Sequence, residues 1–213
     1  MKIKETLGII DPTTFITTYL SAKNINSVPL YLVPNKSCLD NHWDYPNMER
    51  AVEAFLKKGV DKYDVDGFKM DKKVGVLVDC DTDGVMSGTL MANYLMIRGF
   101  MVQPFIHTGK QHGLTKSKDE DIVKQVLEAN LDFLIIPDAG SNDVEQCKEL
   151  TEHGVDIIIL DHHPIEQDNP YAIVVNPHLG VGLNTDISGT GVVWHFIQAI
   201  NEKNGGDISR ISA

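Results

Sequence analysis

Val74-Gly75-Val76-Leu77-Val78 runs directly into Asp79-Cys80-Asp81-Thr82-Asp83-Gly84. The first five residues are an apolar run with the length of a buried strand, and the next six set three carboxylates at alternate positions just beyond its end. Such crowding repels itself unless a cation neutralises it. All-oxygen ligand sets favour hard ions such as Mg²⁺ and Mn²⁺, so the stretch reads first as a divalent-metal site. The plain alternative is a solvated Asp-rich turn.

Two other motif readings can be weighed on the same residues. Asp-x-Asp-x-Asp-Gly opens a calcium-binding EF-hand loop, but that loop requires Glu at its twelfth position. Leu90 stands there, and no helix precedes the loop. A phosphotransferase with Asp79 as nucleophile lacks any further supporting residue. Asp64-Val65-Asp66-Gly67 looks similar but follows a polar stretch, and it reads as a turn.

Working outward, short apolar runs alternate with amphipathic segments, which predicts βαβ units in an α/β fold. The expected architecture is a mainly parallel, doubly wound sheet flanked by helices. Strands are expected at 74–78, 101–106, 133–136, 156–160 and 172–175, and helices at 86–98, 118–129, 143–153 and 191–201. Upstream, Met48, Val52, Phe55 and Leu56 share one helical face, with Gly59 as a stop. Residues 1–45 carry Pro12, Pro29 and Pro34 without a clear period and read as an irregular N-terminal extension, leaving 46–213 as the main domain.

The 213 residues carry a formal charge of -11, which argues against a protein held on nucleic acid by overall basicity while leaving room for a local basic groove. Three cysteines, Cys38, Cys80 and Cys147, form neither a disulfide framework nor a zinc ribbon, and suggest a reducing, cytoplasmic setting. No apolar run approaches the ~18 residues of a membrane span, and no signal-peptide pattern opens the chain, so no membrane partner is expected.

In a doubly wound sheet, ligands gather outside the carboxyl ends of the strands. Four of the expected strands end in polar groups: Asp79/Asp81/Asp83, Pro137-Asp138-Ala139-Gly140, Asp161-His162-His163, and Asn176-Pro177-His178. Taken singly, Asp138 is equally a helix cap or turn residue, and the histidines are equally surface residues. Taken together at one sheet edge, they read as a mixed Asp/His ligand set for Mn²⁺, Mg²⁺ or Zn²⁺, with the carboxylate excess favouring the harder ions.

Asp79 to Gly84 with Ser87, Pro137-Asp138-Ala139-Gly140, and Leu160-Asp161-His162-His163 resemble the first three motifs of the DHH phosphoesterase superfamily. The RecJ-type single-strand exonuclease branch is the most similar. His112-Gly113-Leu114, Val175-Asn176-Pro177 and Ser188-Gly189-Thr190-Gly191-Val192-Val193 extend the resemblance over about residues 46–200. The branches that act on short oligonucleotides, cyclic dinucleotides or pyrophosphate carry a His where this chain has Leu77, which favours polynucleotide cleavage. RecJ-type enzymes also carry a fourth-motif Asp and a second domain. Neither is recognisable before Ala213, and Asp207 is not a convincing substitute, so the chain resembles a catalytic N-terminal part or a naturally short relative.

The resemblance implies a metal-dependent phosphodiesterase acting on single-stranded nucleic acid, DNA favoured, through two Mn²⁺ or Mg²⁺ ions. It implies Asp81, Asp83, Asp138 and His162 as ligands, Asp79 as a ligand or support, and Asp138 or Asp83 as the bridge. Asp161 would orient a histidine, and His163 would touch the scissile phosphate or donate a proton. Ser188, Gly189 and Gly191 lie at an expected helix N-terminus, where amides can bind phosphate or simply form a packing turn. Lys110, His112 and Lys116 are expected near the substrate backbone. Alternatives are a small-oligonucleotide or cyclic-dinucleotide phosphodiesterase, and a non-catalytic module that binds nucleic acid or a partner.

Overall fold

A computed structural model describes residues 12–22, 33, 38–59, 73–107, 112–114 and 121–204. Lys110, Lys116 and Asp207 lie outside the described residues. The chain divides into two units, Met1–Asp40 and Asn41–Ala213. The first contains helix α1, Pro12–Ala22, where an irregular segment was expected. Proline there is no obstacle, because its missing N–H and fixed φ suit the first helical position.

The second unit runs α2 (Met48–Gly59), β1 (Lys73–Val78), α3 (Thr82–Ile97), β2 (Met101–Ile106), α4 (Ile122–Glu128), β3 (Phe133–Pro137), α5 (Val144–Glu152), β4 (Asp156–Leu160), β5 (Ile173–Val175) and α6 (Gly189–Lys203). The five strands form one sheet in the order β2-β1-β3-β4-β5, and every pair is parallel. Strand alternation divides the core between the two faces. Val74, Val76, Phe133, Ile135, Ile158, Leu160 and Val175 pack with residues of α2, α3 and α6. Leu77, Phe105, Leu134, Ile136, Ile157, Ile159 and Val174 pack with residues of α4 and α5. Burial on both sides explains why β1, β3 and β4 read as near-continuous apolar runs. The sheet is doubly wound, as the sequence predicts.

The strand order reverses between β1 and β3, which are neighbours in the sheet. A crevice opens outside the carboxyl ends at such a switch point. Asp79 follows β1 and Asp138 follows β3, so the topology brings the two motifs together.

Helix α3 begins four residues before the expected Met86. Asp81 sits at its N-cap in extended backbone, and its carboxylate accepts the Gly84 N–H at 2.9 Å. The cap turns the chain into helix at once, carrying Asp83 into the first turn. Among the described residues, no helix is long and apolar enough to cross a membrane.

Candidate metal centre

Asp138 occupies the middle of the strand-end cluster. It has a left-handed backbone conformation (φ 62°), which is uncommon outside glycine, and it is almost fully buried. Its N–H donates to the Leu160 carbonyl, which ties the turn after β3 to the end of β4. It caps no helix, since α5 starts at Val144 behind Asp143. Neither of its carboxylate oxygens has a hydrogen-bond partner. Nε2 of His162 comes within 3.2 Å of Oδ1 but outside hydrogen-bonding geometry. Burial, then the charges of Asp83 and Asp81, push the Asp138 pKa up to about 8. A buried carboxylate without donors is costly, and the cost is relieved by keeping a proton or by taking a cation as partner.

The surrounding groups could supply that cation with ligands. One ligand atom each from Asp138, His162 and His163 lies within 4.8 Å of the others, and the same holds for Asp79, Asp81 and Asp138. Asp138 belongs to both sets, the position a bridging carboxylate would occupy. Asp83 is beside them, its Oδ2 3.7 Å from His162 Nε2.

Asp83 is fixed by the beginning of α6. The N–H groups of Gly189 and Thr190 donate to its two oxygens at 2.7 and 2.9 Å, and the Thr190 hydroxyl donates to Oδ1 at 2.6 Å. Burial opposes ionisation of Asp83, yet the Thr190 hydroxyl and the two amides outweigh it and hold its pKa below the usual carboxylate range. Gly189, with Ser188 and Gly191, is among the residues whose amides the sequence offered to phosphate. In the structure, Gly189 N–H holds Asp83 and Gly191 N–H donates to the Ser188 Oγ cap at 3.1 Å. The helix end therefore serves a carboxylate of the chain itself.

Asp161 is buried and accepts four hydrogen bonds. Oδ1 takes the N–H groups of His162 and His163 at 2.7 and 3.1 Å and Nδ1 of His163 at 2.8 Å, while Oδ2 takes Ser141 N–H at 3.2 Å. Burial raises its pKa, but the bonds from His163 and Ser141 prevail and the net shift is downward. The reciprocal effect pushes the His163 pKa up to about 9, chiefly through the hydrogen bond to Asp161. Asn176 braces the same turn by donating to the His163 carbonyl at 3.0 Å and to Ser141 Oγ at 3.1 Å.

Asp79 is buried beneath His112. Its Oδ2 lies 2.5 Å from His112 Nδ1, and its Oδ1 accepts Gly113 N–H at 3.1 Å. Exposed His178, by contrast, is in none of these groups among the described residues. Thr190, Ser141 and Asn176 escaped assignment from sequence. Thr190 stands inside a quoted motif, but nothing local reveals that its hydroxyl reaches a residue from α3.

Known proteins resemble this chain in sequence and in fold. The pattern of the DHH family, N-terminal domain, matches residues 73–213. YorK of Bacillus subtilis, a prophage-derived candidate single-strand DNA-specific exonuclease, is 30% identical over 189 residues, which is 88% of this chain and 30% of YorK. The single-stranded-DNA-specific exonuclease RecJ of Thermus thermophilus is 29% identical over 140 residues, covering 66% of this chain and 21% of RecJ. A crystal structure of exonuclease RecJ bound to manganese superposes with a TM-score of 0.63 at 27% identity, over 76% of this chain and 39% of that one. The chain thus spans less than half the length of each of these relatives. A match that starts at β1 and takes in all three strand-end motifs leaves one conclusion: the chain belongs to the DHH family.

Proposed function

We propose that this chain carries the catalytic part of a phosphodiesterase that cleaves single-stranded nucleic acid, DNA favoured, with two divalent ions, Mn²⁺ or Mg²⁺. The observation that carries the reading is the buried carboxylate of Asp138, whose oxygens lack donors and which belongs to two overlapping ligand sets. The relatives' exonuclease names and a manganese-bound RecJ structure support it.

In this reading Asp138 and His162 hold one ion, and Asp79, Asp81 and Asp138 hold the other, with Asp83 completing the wall. Bound there, the ions would lower the pKa of water and neutralise charge on the phosphoryl group during in-line attack. Thr190 and the α6 amides hold Asp83 still, so that its charge faces the centre. Asp161 keeps the Nδ1 proton of His163 and orients the ring. With its pKa raised to about 9, His163 is protonated at neutral pH. From that state it can donate a hydrogen bond to a phosphate oxygen or a proton to the departing alkoxide.

The test is cleavage of end-labelled single-stranded DNA in Mn²⁺, comparing the parent with His162→Ala and Asp138→Asn, alongside calorimetric Mn²⁺ titration. Loss of cleavage and of binding in both folded variants is expected. Mn²⁺ binding that is unaltered in both would overturn the metal assignment. Faster turnover of a dinucleotide than of a long strand would move the substrate to short oligonucleotides. Tight metal binding without turnover of either would favour a binding module.

A further inference from the structure

A second group of ligating side chains stands beside the carboxylate centre and has a different chemical character. One ligand atom each from Asp79, Cys80 and His112 lies within 4.8 Å of the others. Asp79 Oδ2 holds Nδ1 of His112, which leaves Nε2 3.8 Å from the Cys80 sulfur. The segment carrying His112 is braced. Gly113 N–H donates to Asp79, Leu114 N–H donates to Asp143 Oδ2 at 2.7 Å, and His107 Nε2 donates to the Gly113 carbonyl at 2.8 Å. Gly113 has φ +66°, and a Cβ there would fall 2.2 Å from Asp143 Oδ2. The backbone is therefore built to present His112 at this spot, with 59% of its side chain open to solvent and Cys80 half-buried alongside.

We propose that Cys80 and His112, with Asp79 behind the imidazole, form a separate site for a thiophilic divalent cation, for which Zn²⁺ is the best match. Thiolate and imidazole select Zn²⁺ or Co²⁺ over the hard ions that suit carboxylates. Zn–S and Zn–N bonds of about 2.3 and 2.0 Å at a tetrahedral angle set sulfur and nitrogen roughly 3.5 Å apart, close to the spacing found here. A carboxylate on the far ring nitrogen is the usual way in which a metal-bound histidine is oriented. Asp79 acts through His112, so the site takes no oxygen from the carboxylate centre. Binding releases the Cys80 thiol proton to solvent, His112 keeps its Nδ1 proton on Asp79, and water fills the remaining positions. The site stands whether or not the neighbouring centre cleaves nucleic acid.

The experiment uses Co²⁺ as the probe, added to full-length Cys38→Ser protein in excess Mg²⁺, and follows the thiolate-to-cobalt charge-transfer absorption. Cys147 is buried, so the remaining accessible thiol is Cys80. A saturable band is expected, absent after adding Cys80→Ser and about tenfold weaker in affinity or worse after adding His112→Ala. No band in the Cys38→Ser protein, or a band that survives Cys80→Ser, overturns the site. Alkylation of the unmutated protein gives a check independent of variant folding. Zn²⁺ is expected to slow iodoacetamide labelling of the Cys80 peptide at least tenfold, and an unchanged rate, as for a bare Cys–His pair, refutes the proposal.

Discussion

Thr190 and Asp83, 107 residues apart in the chain, meet at Asp83 Oδ1, which accepts both the Thr190 N–H and its hydroxyl, and the hydroxyl also lies 3.4 Å from the Asp83 carbonyl oxygen. The contact joins the start of α6 to the start of α3, so α6 fixes a candidate ligand that the first motif supplies. Thr190→Val keeps the side-chain shape and removes the hydroxyl. A hydrogen bond to a charged group contributes about 1.5–3 kcal/mol, so urea denaturation should show a loss in that range. Mn²⁺ affinity should fall by roughly 10–100-fold in calorimetry, as for other residues that orient ligands. Unchanged affinity alongside the stability loss would restrict Thr190 to holding the helices together.

Gly189 tests the same junction by steric means. A Cβ built there would lie 2.1 Å from Asp138 Oδ1 and 2.6 Å from Asp138 Cβ. Since Asp138 is buried in a turn, the start of α6 must retreat instead, drawing the amides of Gly189 and Thr190 away from Asp83. Gly189→Ala is therefore expected to destabilise the fold by about 1–3 kcal/mol despite its higher helix propensity, and to weaken Mn²⁺ binding along with it. A more stable variant with native affinity would show that the close approach has no consequence.

The central strands were legible because burial on both faces makes residues 74–78, 133–137 and 157–160 unbroken apolar runs, whereas edge strand β2 carries Gln103 and is largely exposed or half-buried. The strand-end motifs were legible for a related reason, since polar residues that directly follow such runs have few places to go but the sheet edge. Helix starts were less so. Asp81 reads from sequence only as a candidate ligand, whereas the structure shows it capping α3. The amides at Gly189 look like an anion site because sequence does not reveal that Asp83 has already reached them. Pairings such as Asp79 with His112 depend on how a loop returns over the sheet, and no local pattern encodes that.

Asp161 and His163 give a test of proton placement in the metal-free protein. The folded pKa of His163 is raised to about 9, above the ordinary value near 6.5. Its pairing with Asp161 therefore contributes stability in full below about pH 6.5, and that contribution is lost as pH rises through about 9. Asp161→Asn should return the His163 titration, followed by NMR of the ring protons, toward 6.5. A titration still centred near 9 in that variant would assign the shift to other charges.

Asp138 moves stability in the same direction with pH, over a lower interval. Its carboxyl is raised to about 8 in the fold, first by burial and then by Asp83 and Asp81, so the native state retains a proton that the unfolded chain gives up near pH 4. Stability of the metal-free protein should consequently decline as pH rises from about 4 to 8, since the native state binds more protons over that interval. Asp138→Asn removes this decline, and its thermal midpoint should equal or exceed the parent's at pH 8. The same proton must leave when a cation binds between the carboxylates. Mn²⁺ affinity should therefore rise about tenfold per pH unit below pH 8, with close to one proton released per Asp138 site at pH 7. Calorimetry in buffers of different ionisation enthalpy measures that proton directly. Binding at pH 7 with no proton released would show that Asp138 is already ionised, and that its neighbours do not repel it as the geometry requires.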